Sequence, residues 1–205
     1  MSVTHTHRLE NGDRLTRSAF EWLCEQQGIS SAELIDGVVH MAAAVRFREH
    51  GEPTAMLVLW LGHYAIRRPD VRFADNTSVR LDERNEPQPD AILVYSPAAG
   101  GLTRVADDGI LEGPPELVIE VAASSVSIDL HQKKDMYAKA GVPEYLVWRT
   151  EDRAIDWFRL TVDVYQPMEP DGEGLVRSQI FPGLVLDARA MINGRMKQVL
   201  ETLDR

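Results

Sequence analysis

The chain of 205 residues is long enough to bury a sizeable core, and its net charge of −10 argues against tight non-specific binding to nucleic acid. Its single cysteine, Cys24, excludes an internal disulfide bond and any cysteine-based zinc cluster. The sequence has no apolar run near the roughly 18 residues of a membrane span and no apolar signal-peptide core, so we predict a cytoplasmic protein without a membrane segment.

In chain order, the first predicted elements are an arm, a helix and a hairpin. Residues 1–13 have the pattern of a flexible arm, and residues 14–205 are predicted to form a single domain. Ser18 with Glu21 forms a candidate capping box for the first helix. Asp36-Gly37 then fits the type I′ turn of a tight hairpin.

The rest of the chain alternates between helix and strand patterns. The predicted elements are a helix from Pro53 to about Arg67, a strand region over 71–81, buried strands over 91–95 and 117–122, a helix over 129–140, a strand over 144–148, a hairpin over 155–166 and a final helix capped by Asp187. This order predicts an α/β fold with a central mixed sheet flanked by helices.

Two acidic residues stand at the ends of buried strand patterns. Asp90 directly precedes the apolar run Ala91-Ile92-Leu93-Val94-Tyr95, and Glu120 lies near the end of Leu117-Val118-Ile119-Glu120-Val121-Ala122. A buried carboxylate is unfavourable unless a cation compensates its charge. Because Mg²⁺ prefers oxygen ligands, Asp90, Glu120 and the carbonyl of Val121 form a candidate site for Mg²⁺ or Mn²⁺. Such an ion can polarise a phosphodiester and activate a bound water.

Helix geometry selects a lysine near this pair. At about 100° per residue, Lys133 falls within the apolar arc of the helix over 129–140, and Lys134 falls at its edge. We therefore expect the Lys133 ammonium within salt-bridge distance of Glu120 and Lys134 on the surface. A lysine in this place can neutralise charge that develops on phosphate oxygens.

Each of these assignments has a structural alternative. Asp90 could cap a turn while Glu120 and Lys133 form a buried ion pair without a metal ion. Lys133 could also lay its stem on apolar surface and keep its ammonium in solvent.

Basic residues outside this pattern could form a rim for an anionic substrate. Arg46 with Arg48 is one candidate, and Arg67-Arg68 with Arg72 is another, although scattered solvated charges explain each group equally well. His50, at the start of the second helix, could contact the site.

Several segments in combination resemble one known family. They are 113–121 (GPPELVIEV), Ser124-Ser125, Asp129, Lys133, Tyr137 and 141–148 (GVPEYLVW), with 33–37 (ELIDG), 87–90 (PQPD) and 181–184 (FPGL). Through these motifs the chain is similar, over residues 15–200, to the Uma2 family of bacterial restriction endonucleases. That family is a branch of the PD-(D/E)XK nuclease superfamily.

The resemblance implies a restriction-endonuclease-like core with a divalent metal held by two carboxylates. Asp90 matches the aspartate of the superfamily motif, and Glu120 matches its acidic strand residue. A lysine normally follows two places after that acid, where this chain has Ala122; in this family the lysine lies on the following helix, which matches Lys133. Glu33 matches an early glutamate of the family, which implies a third acidic group at the metal, and a surface residue before the hairpin is the alternative.

These residues predict a Mg²⁺- or Mn²⁺-dependent endonuclease that hydrolyses phosphodiester bonds in DNA. Water would be the nucleophile, Asp90 and Glu120 would hold the metal, and Lys133 would assist. The alternative is a nuclease-fold protein that does not cleave and serves as a binding or interaction module. The net charge of −10 favours this alternative.

A homodimer is predicted from one apolar segment. Ile155-Asp156-Trp157-Phe158 forms an apolar-rich strand outside the predicted core. Exposed aromatic patches often mark interfaces. Related nucleases also pair two sites to cut two strands, which favours the same assembly.

Overall fold

A central mixed sheet and its flanking helices are built from residues 8–42, 44–123 and 125–204, the parts that the computed structural model describes. The helices are α1 (Arg17–Gln27), α2 (Glu52–Ala65), α3 (Lys134–Ala140), α4 (Ala188–Ile192) and α5 (Met196–Leu203). The strands are β1 (Ala32–Ile35), β2 (Val38–Met41), β3 (Val71–Asp75), β4 (Val79–Arg80), β5 (Ala91–Tyr95), β6 (Arg104–Val105), β7 (Leu111–Glu112), β8 (Leu117–Ala122), β9 (Glu144–Arg149), β10 (Ala154–Thr161), β11 (Val164–Pro167), β12 (Val176–Arg177) and β13 (Val185–Leu186). Two π-helical segments, Phe47–Gly51 and Ile128–Lys133, lead into α2 and α3.

The central sheet has six strands in the order β11-β10-β9-β8-β5-β3. β8 and β9 run parallel, and every other neighbouring pair in this sheet is antiparallel. The parallel pair is joined through α3, which is the crossover that parallel strands require. The predicted mixed α/β architecture is confirmed.

The two faces of this sheet are buried against different elements. Because strand side chains alternate, Ile119 and Val121 of β8 face the core formed with α2, α4 and α5. Val118 faces the second core, which includes Tyr137 of α3. Glu120 alternates with Val118 and therefore lies on the α3 face. Within the described residues, no helix is long and apolar enough to cross a membrane.

The hairpin of β1 and β2 has the predicted turn. Asp36 and Gly37 both have positive φ, 52° and 75°, which is the requirement of a type I′ turn. A Cβ on Gly37 would lie 2.9 Å from Nη2 of Arg84 and 3.1 Å from the Leu15 carbonyl, so any larger residue would also be crowded there. This turn fixes the register in which Glu33 faces His40.

The N-terminal region differs from its prediction. Leu9 is only 3% exposed and donates its N–H to Gln27, and Gly12 donates to the Val39 carbonyl. Residues 8–13 therefore pack on α1 and the hairpin rather than forming a flexible arm, and residues 1–7 of that arm lie outside the described residues. The cap of α1 is Thr16, whose extended backbone suits that position, and not Ser18.

The C-terminal helix is also different, because it is two helices. Asp187 caps α4 as predicted, accepting the N–H of Ala190 at 2.8 Å. The chain then turns at Gly194, whose φ of +69° is incompatible with a continuing helix, and α5 follows.

The segment on which the homodimer prediction was based is buried within the chain. Trp157 is 3% exposed and Phe158 is 8% exposed, each in one of the two sheet cores. The pairing of β10 between β9 and β11 places these rings inside the protein, which the sequence pattern alone did not indicate. These aromatics therefore give no support to a homodimer.

Candidate active site

The strand register brings the two predicted carboxylates together. β5 and β8 pair antiparallel with Ala91 opposite Ile119, so the next position outward sets Asp90 opposite Glu120. Opposite residues in such a pair share one face, with Cβ atoms about 5 Å apart. Both side chains are buried. A spacing of thirty residues in sequence has thus become direct adjacency at one end of the sheet.

Asp90 is held by β8 and by the π-helical segment before α2. Its Oδ2 accepts the N–H of Val121 at 2.6 Å, and its Oδ1 lies 3.0 Å from Nε2 of His50. Asp90 therefore does more than cap a turn, since it joins β8 to the segment that carries His50. The suggested contact of His50 with the site is confirmed.

Both ring nitrogens of His50 have a polar partner, Thr54 at Nδ1 and Asp90 at Nε2. Thr54 donates its hydroxyl to the His50 carbonyl at 2.8 Å, and the same hydroxyl oxygen lies 3.3 Å from Nδ1 of His50. The hydrogen bond with Asp90 raises the pKa of His50 above its ordinary value, although burial opposes the shift. The contact with Asp90 therefore favours the protonated form of the His50 imidazole.

Lys133 lies at the centre of the acidic groups. Its Nζ is 3.0 Å from Oε1 of Glu120, 2.9 Å from Oε1 of Glu33 and 3.9 Å from Oδ1 of Asp129. Burial alone would lower the pKa of this ammonium, but the three carboxylates raise it above its usual range. The predicted contact with Glu120 is confirmed, and the ammonium does not reach into solvent.

Glu120 uses one oxygen for its protein contacts. Oε1 accepts from Lys133 and also from the hydroxyl of Tyr137 at 2.8 Å. Among the described residues Oε2 accepts no hydrogen bond. Burial raises the pKa of Glu120 well above its ordinary value, against the effect of Lys133, and the nearby Asp129 and Asp90 raise it further.

Glu33 faces the site instead of the surface. Its Oε1 accepts the N–H of Gln88 at 2.8 Å in addition to the Lys133 ammonium. Its neighbours in β1, Ala32 and Leu34, are buried on the opposite side against α1. Strand alternation therefore turns Glu33 towards Lys133.

Asp129 is a site residue whose role the sequence patterns did not identify. Its Oδ2 accepts from the Ser125 hydroxyl at 2.5 Å, and burial raises its pKa. The available signal was its spacing of four residues from Lys133, which places two helical side chains on one face.

The site contains more carboxylates than cations. Asp90, Glu120, Glu33 and Asp129 oppose only Lys133 and His50, an excess of two negative charges if all are ionised. Buried charge needs compensation, and a divalent cation would supply it. Within the described residues no three His, Cys, Asp or Glu side chains form a ready ligand set. The candidate side-chain ligands are Asp90 and Glu120, because the strand register sets them opposite each other.

The third candidate ligand, the carbonyl of Val121, is suitably placed. The Ala122 carbonyl accepts the N–H of Thr150, which directly follows β9, so Ala122 faces the β9 side of β8. The Val121 N–H donates to Asp90 and therefore faces the β5 side. The carbonyl of Val121 points to the same side as its N–H. If the register of β5 and β8 is continued, the residue opposite Val121 is Pro89, which has no N–H to donate to the Val121 carbonyl. The donor set of two carboxylates and this carbonyl fits a hard divalent cation.

The family is decided by a comparison that covers most of the chain. The model of the family Uma2, described as "Putative restriction endonuclease", matches residues 17–189. The chain belongs to the Uma2 family. It is also similar to a crystal structure from Anabaena variabilis ATCC 29413, described as "a putative nuclease belonging to DUF820", with 14% identity and a TM-score of 0.62 over 79% of this chain and 89% of that chain. At this identity the likeness shows the fold, and the comparison with curated proteins gives no match.

In this Uma2 protein the lysine that contacts Glu120 comes from the helical segment before α3 and not from β8. Ala122, two residues after Glu120, is fully buried on the same face of β8. The π-helical segment before α3 ends at Lys133 and directs that side chain to Glu120. A cation therefore reaches the acidic strand residue from a different element.

The second lysine of this Uma2 protein has a different environment. Lys134 lies 3.6 Å above the Phe158 ring and is partly shielded from solvent. The expectation of a fully exposed surface lysine is therefore wrong. Burial lowers its pKa, and the acidic residues near it are Asp156 and Asp135, outside the site. The adjacent lysines thus contact different parts of the protein, Lys133 the acidic site and Lys134 the Phe158 ring.

Proposed function

We propose that this protein is a Mg²⁺- or Mn²⁺-dependent endonuclease that hydrolyses phosphodiester bonds in DNA. The observation that carries the proposal is the pairing of Asp90 with Glu120 across β5 and β8, with the Lys133 ammonium 3.0 Å from Glu120. Family membership supports the same reaction class. A bound divalent ion would polarise the phosphodiester and lower the pKa of a water nucleophile.

The side chains around that ion have separate tasks. Asp90 and Glu120 would hold it through Oδ and Oε2 atoms, with the Val121 carbonyl as a third ligand. Lys133 spends two N–H donors on Glu33 and Glu120, which leaves one for a phosphate oxygen as negative charge develops. Tyr137 fixes the rotamer of Glu120, and Glu33 fixes the position of the ammonium.

The test is nicking of supercoiled plasmid with Mg²⁺ or Mn²⁺. We expect Asp90→Asn and Glu120→Gln to abolish nicking while leaving the circular dichroism spectrum unchanged. Glu144→Gln is the matched control, because Glu144 is another buried acid but binds Ser178 and Gln179 away from the site. Calorimetry should show that Asp90→Ala loses metal binding.

One result would favour the alternative of a nuclease-fold binding module. If the wild type binds DNA or a protein partner but does not nick with either metal, the site does not catalyse hydrolysis. Lys133 would then act only as the buried partner of Glu120 and Glu33.

A further inference from the structure

A short segment beside the site exposes apolar and cationic side chains together. Residues 45–48, with the sequence Val45-Arg46-Phe47-Arg48, connect the hairpin to the start of α2. Val45 is 67% exposed and Phe47 is 73% exposed, and both arginines are exposed as well. Large exposed aromatics of this kind often mark binding surfaces.

The exposure does not arise from a lack of anchoring. The Arg46 carbonyl accepts the N–H groups of His50 and Gly51 at 3.1 and 3.0 Å. The Glu49 carbonyl accepts the Thr150 hydroxyl at 2.9 Å. The backbone is therefore held while Arg46, Phe47 and Arg48 extend outwards.

The position of the segment ties it to the chemistry. Phe47 precedes His50 by three residues, and His50 contacts Asp90. Arg46 and Arg48 form no ion pair in the described part of the chain. Arg72 of the other candidate rim likewise forms none, but it lies on β3 at an edge of the central sheet, and the two arginines beside it in that rim have partners. Arg67 binds Asp204, and Arg68 lies over the Tyr64 ring. In a protein of net charge −10, unpaired arginines at a hydrolytic site favour an anionic ligand.

We infer that residues 45–48 bind a nucleic-acid strand next to the scissile phosphodiester, with Arg46 and Arg48 on phosphates and Phe47 stacked on an unpaired base. The inference rests on the proposed function and adds to it a substrate with unpaired bases near the cut. Arginines on the backbone with an aromatic between them are the two components of single-strand recognition. A duplex would offer phosphates to the arginines but no open base to Phe47.

The experiment measures binding without cleavage. A fluorescently labelled single-stranded oligonucleotide and its duplex are titrated with the full chain in EDTA, and anisotropy gives the affinity. Phe47→Ala should weaken binding of the single strand by roughly 5- to 150-fold, with a smaller effect on the duplex. The double variant Arg46→Ala/Arg48→Ala should reduce the slope of log affinity against log salt by about 1.4 for the single strand.

Two matched controls lie away from the site. Ile66→Ala removes an apolar side chain that is 82% exposed at the other end of α2, about 20 Å along the helix. Arg159→Ala removes an exposed arginine of β10. Neither should change affinity or salt slope.

The outcomes separate this inference from the proposed function. Nicking that depends on Glu120, with binding unchanged in Phe47→Ala and in the arginine variant, would overturn the inference and keep the nuclease. Binding lost in those variants, without nicking by the wild type, would keep the binding of a single strand by residues 45–48 and overturn the nuclease. A sedimentation shift from dimer to monomer in Phe47→Ala, with DNA affinity retained, would assign the surface to a second copy of the chain and overturn the inference.

Discussion

At the scale of single residues, Lys133 has the strongest consequences for both stability and activity. Its ammonium is shared by Glu120, Glu33 and Asp129, so removing it leaves buried carboxylates without their cation. Lys133→Ala should lower the free energy of unfolding by about 3–5 kcal/mol. In the folded fraction, nicking should fall by about 10²- to 10³-fold because transition-state charge is no longer stabilised.

Lys134→Ala is the matched control for this prediction. It removes the contact with the Phe158 ring, which is worth about 0.5–1 kcal/mol, and the charge interactions with Asp156 and Asp135, but no contact within the site. Urea unfolding and plasmid nicking of both variants give the comparison. Nicking lost with Lys134 and kept without Lys133 would show that the site is wrongly assigned.

Glu86 is a second residue whose burial has a measurable effect. Its backbone pairs with Leu34, and its carboxyl lies beside Glu21, where a hydrogen bond between the two acids requires a proton on one of them. Burial raises the pKa of Glu86 to about 8, and Glu21 adds to the shift. Since this pKa is raised in the folded state, the folded protein binds more protons than the unfolded protein between the unfolded pKa of Glu86 and its folded pKa.

The free energy of unfolding should therefore decrease as the pH rises from the unfolded pKa, near 4.5, towards 8. The stabilising contribution of Glu86 is present in full below the unfolded pKa. Above it, the free energy of unfolding falls by at most about 1.4 kcal/mol per pH unit. Glu86→Gln should flatten this dependence in urea unfolding measured at several pH values. Glu83→Gln, a change at an exposed neighbour, should leave the dependence as it is in the wild type.

At the scale of elements, the hairpin turn decides where Glu33 lies. Gly37→Ala combines a left-handed backbone with contacts to Arg84 and the Leu15 carbonyl, whereas Gly28→Ala has a similar φ of +64° and open space around its Cβ. Both changes should incur the left-handed penalty of about 1–2 kcal/mol. Only Gly37→Ala should lose further stability through its close contacts, and only this change should weaken nicking, because it displaces Glu33. Equal losses of stability in the two variants would show that the close contacts have no effect.

At the scale of the whole molecule, the excess of carboxylates links metal binding to stability. A ligand that binds only the folded state stabilises it by about 2.7 kcal/mol at a hundred times its Kd. Mg²⁺ should therefore raise the Tm of the wild type at constant ionic strength. The rise should be absent in Glu120→Gln and retained in Glu144→Gln, both followed by differential scanning calorimetry. An equal rise in all three proteins would indicate screening of the net charge rather than a site.

The homodimer and the cytoplasmic location stay predictions at this scale. The aromatic segment that suggested a dimer is part of the sheet cores, so a dimer would need another surface. The edges of the central sheet are β3 and β11.

The sequence by itself determined most of the helices and strands and the candidate residues of the site. Alternating and helical apolar patterns predicted β8 within its observed limits, and Asp36-Gly37 specified the hairpin turn, because these features depend on local backbone preferences. The helix periodicity selected Lys133 over Lys134 for the same reason. The family motifs named Asp90, Glu120 and Glu33 as the acids.

Only the tertiary structure decided which of these groups meet. The antiparallel register of β5 and β8 set Asp90 opposite Glu120, and the π-helical segment before α2 brought His50 to Asp90. Asp129 joined the cluster through a π-helical segment that no local pattern indicated. The packing of Trp157 in the core likewise depended on the partners of β10. Contacts between residues distant in sequence are fixed by strand pairing and burial, and a local pattern carries no information about the partner.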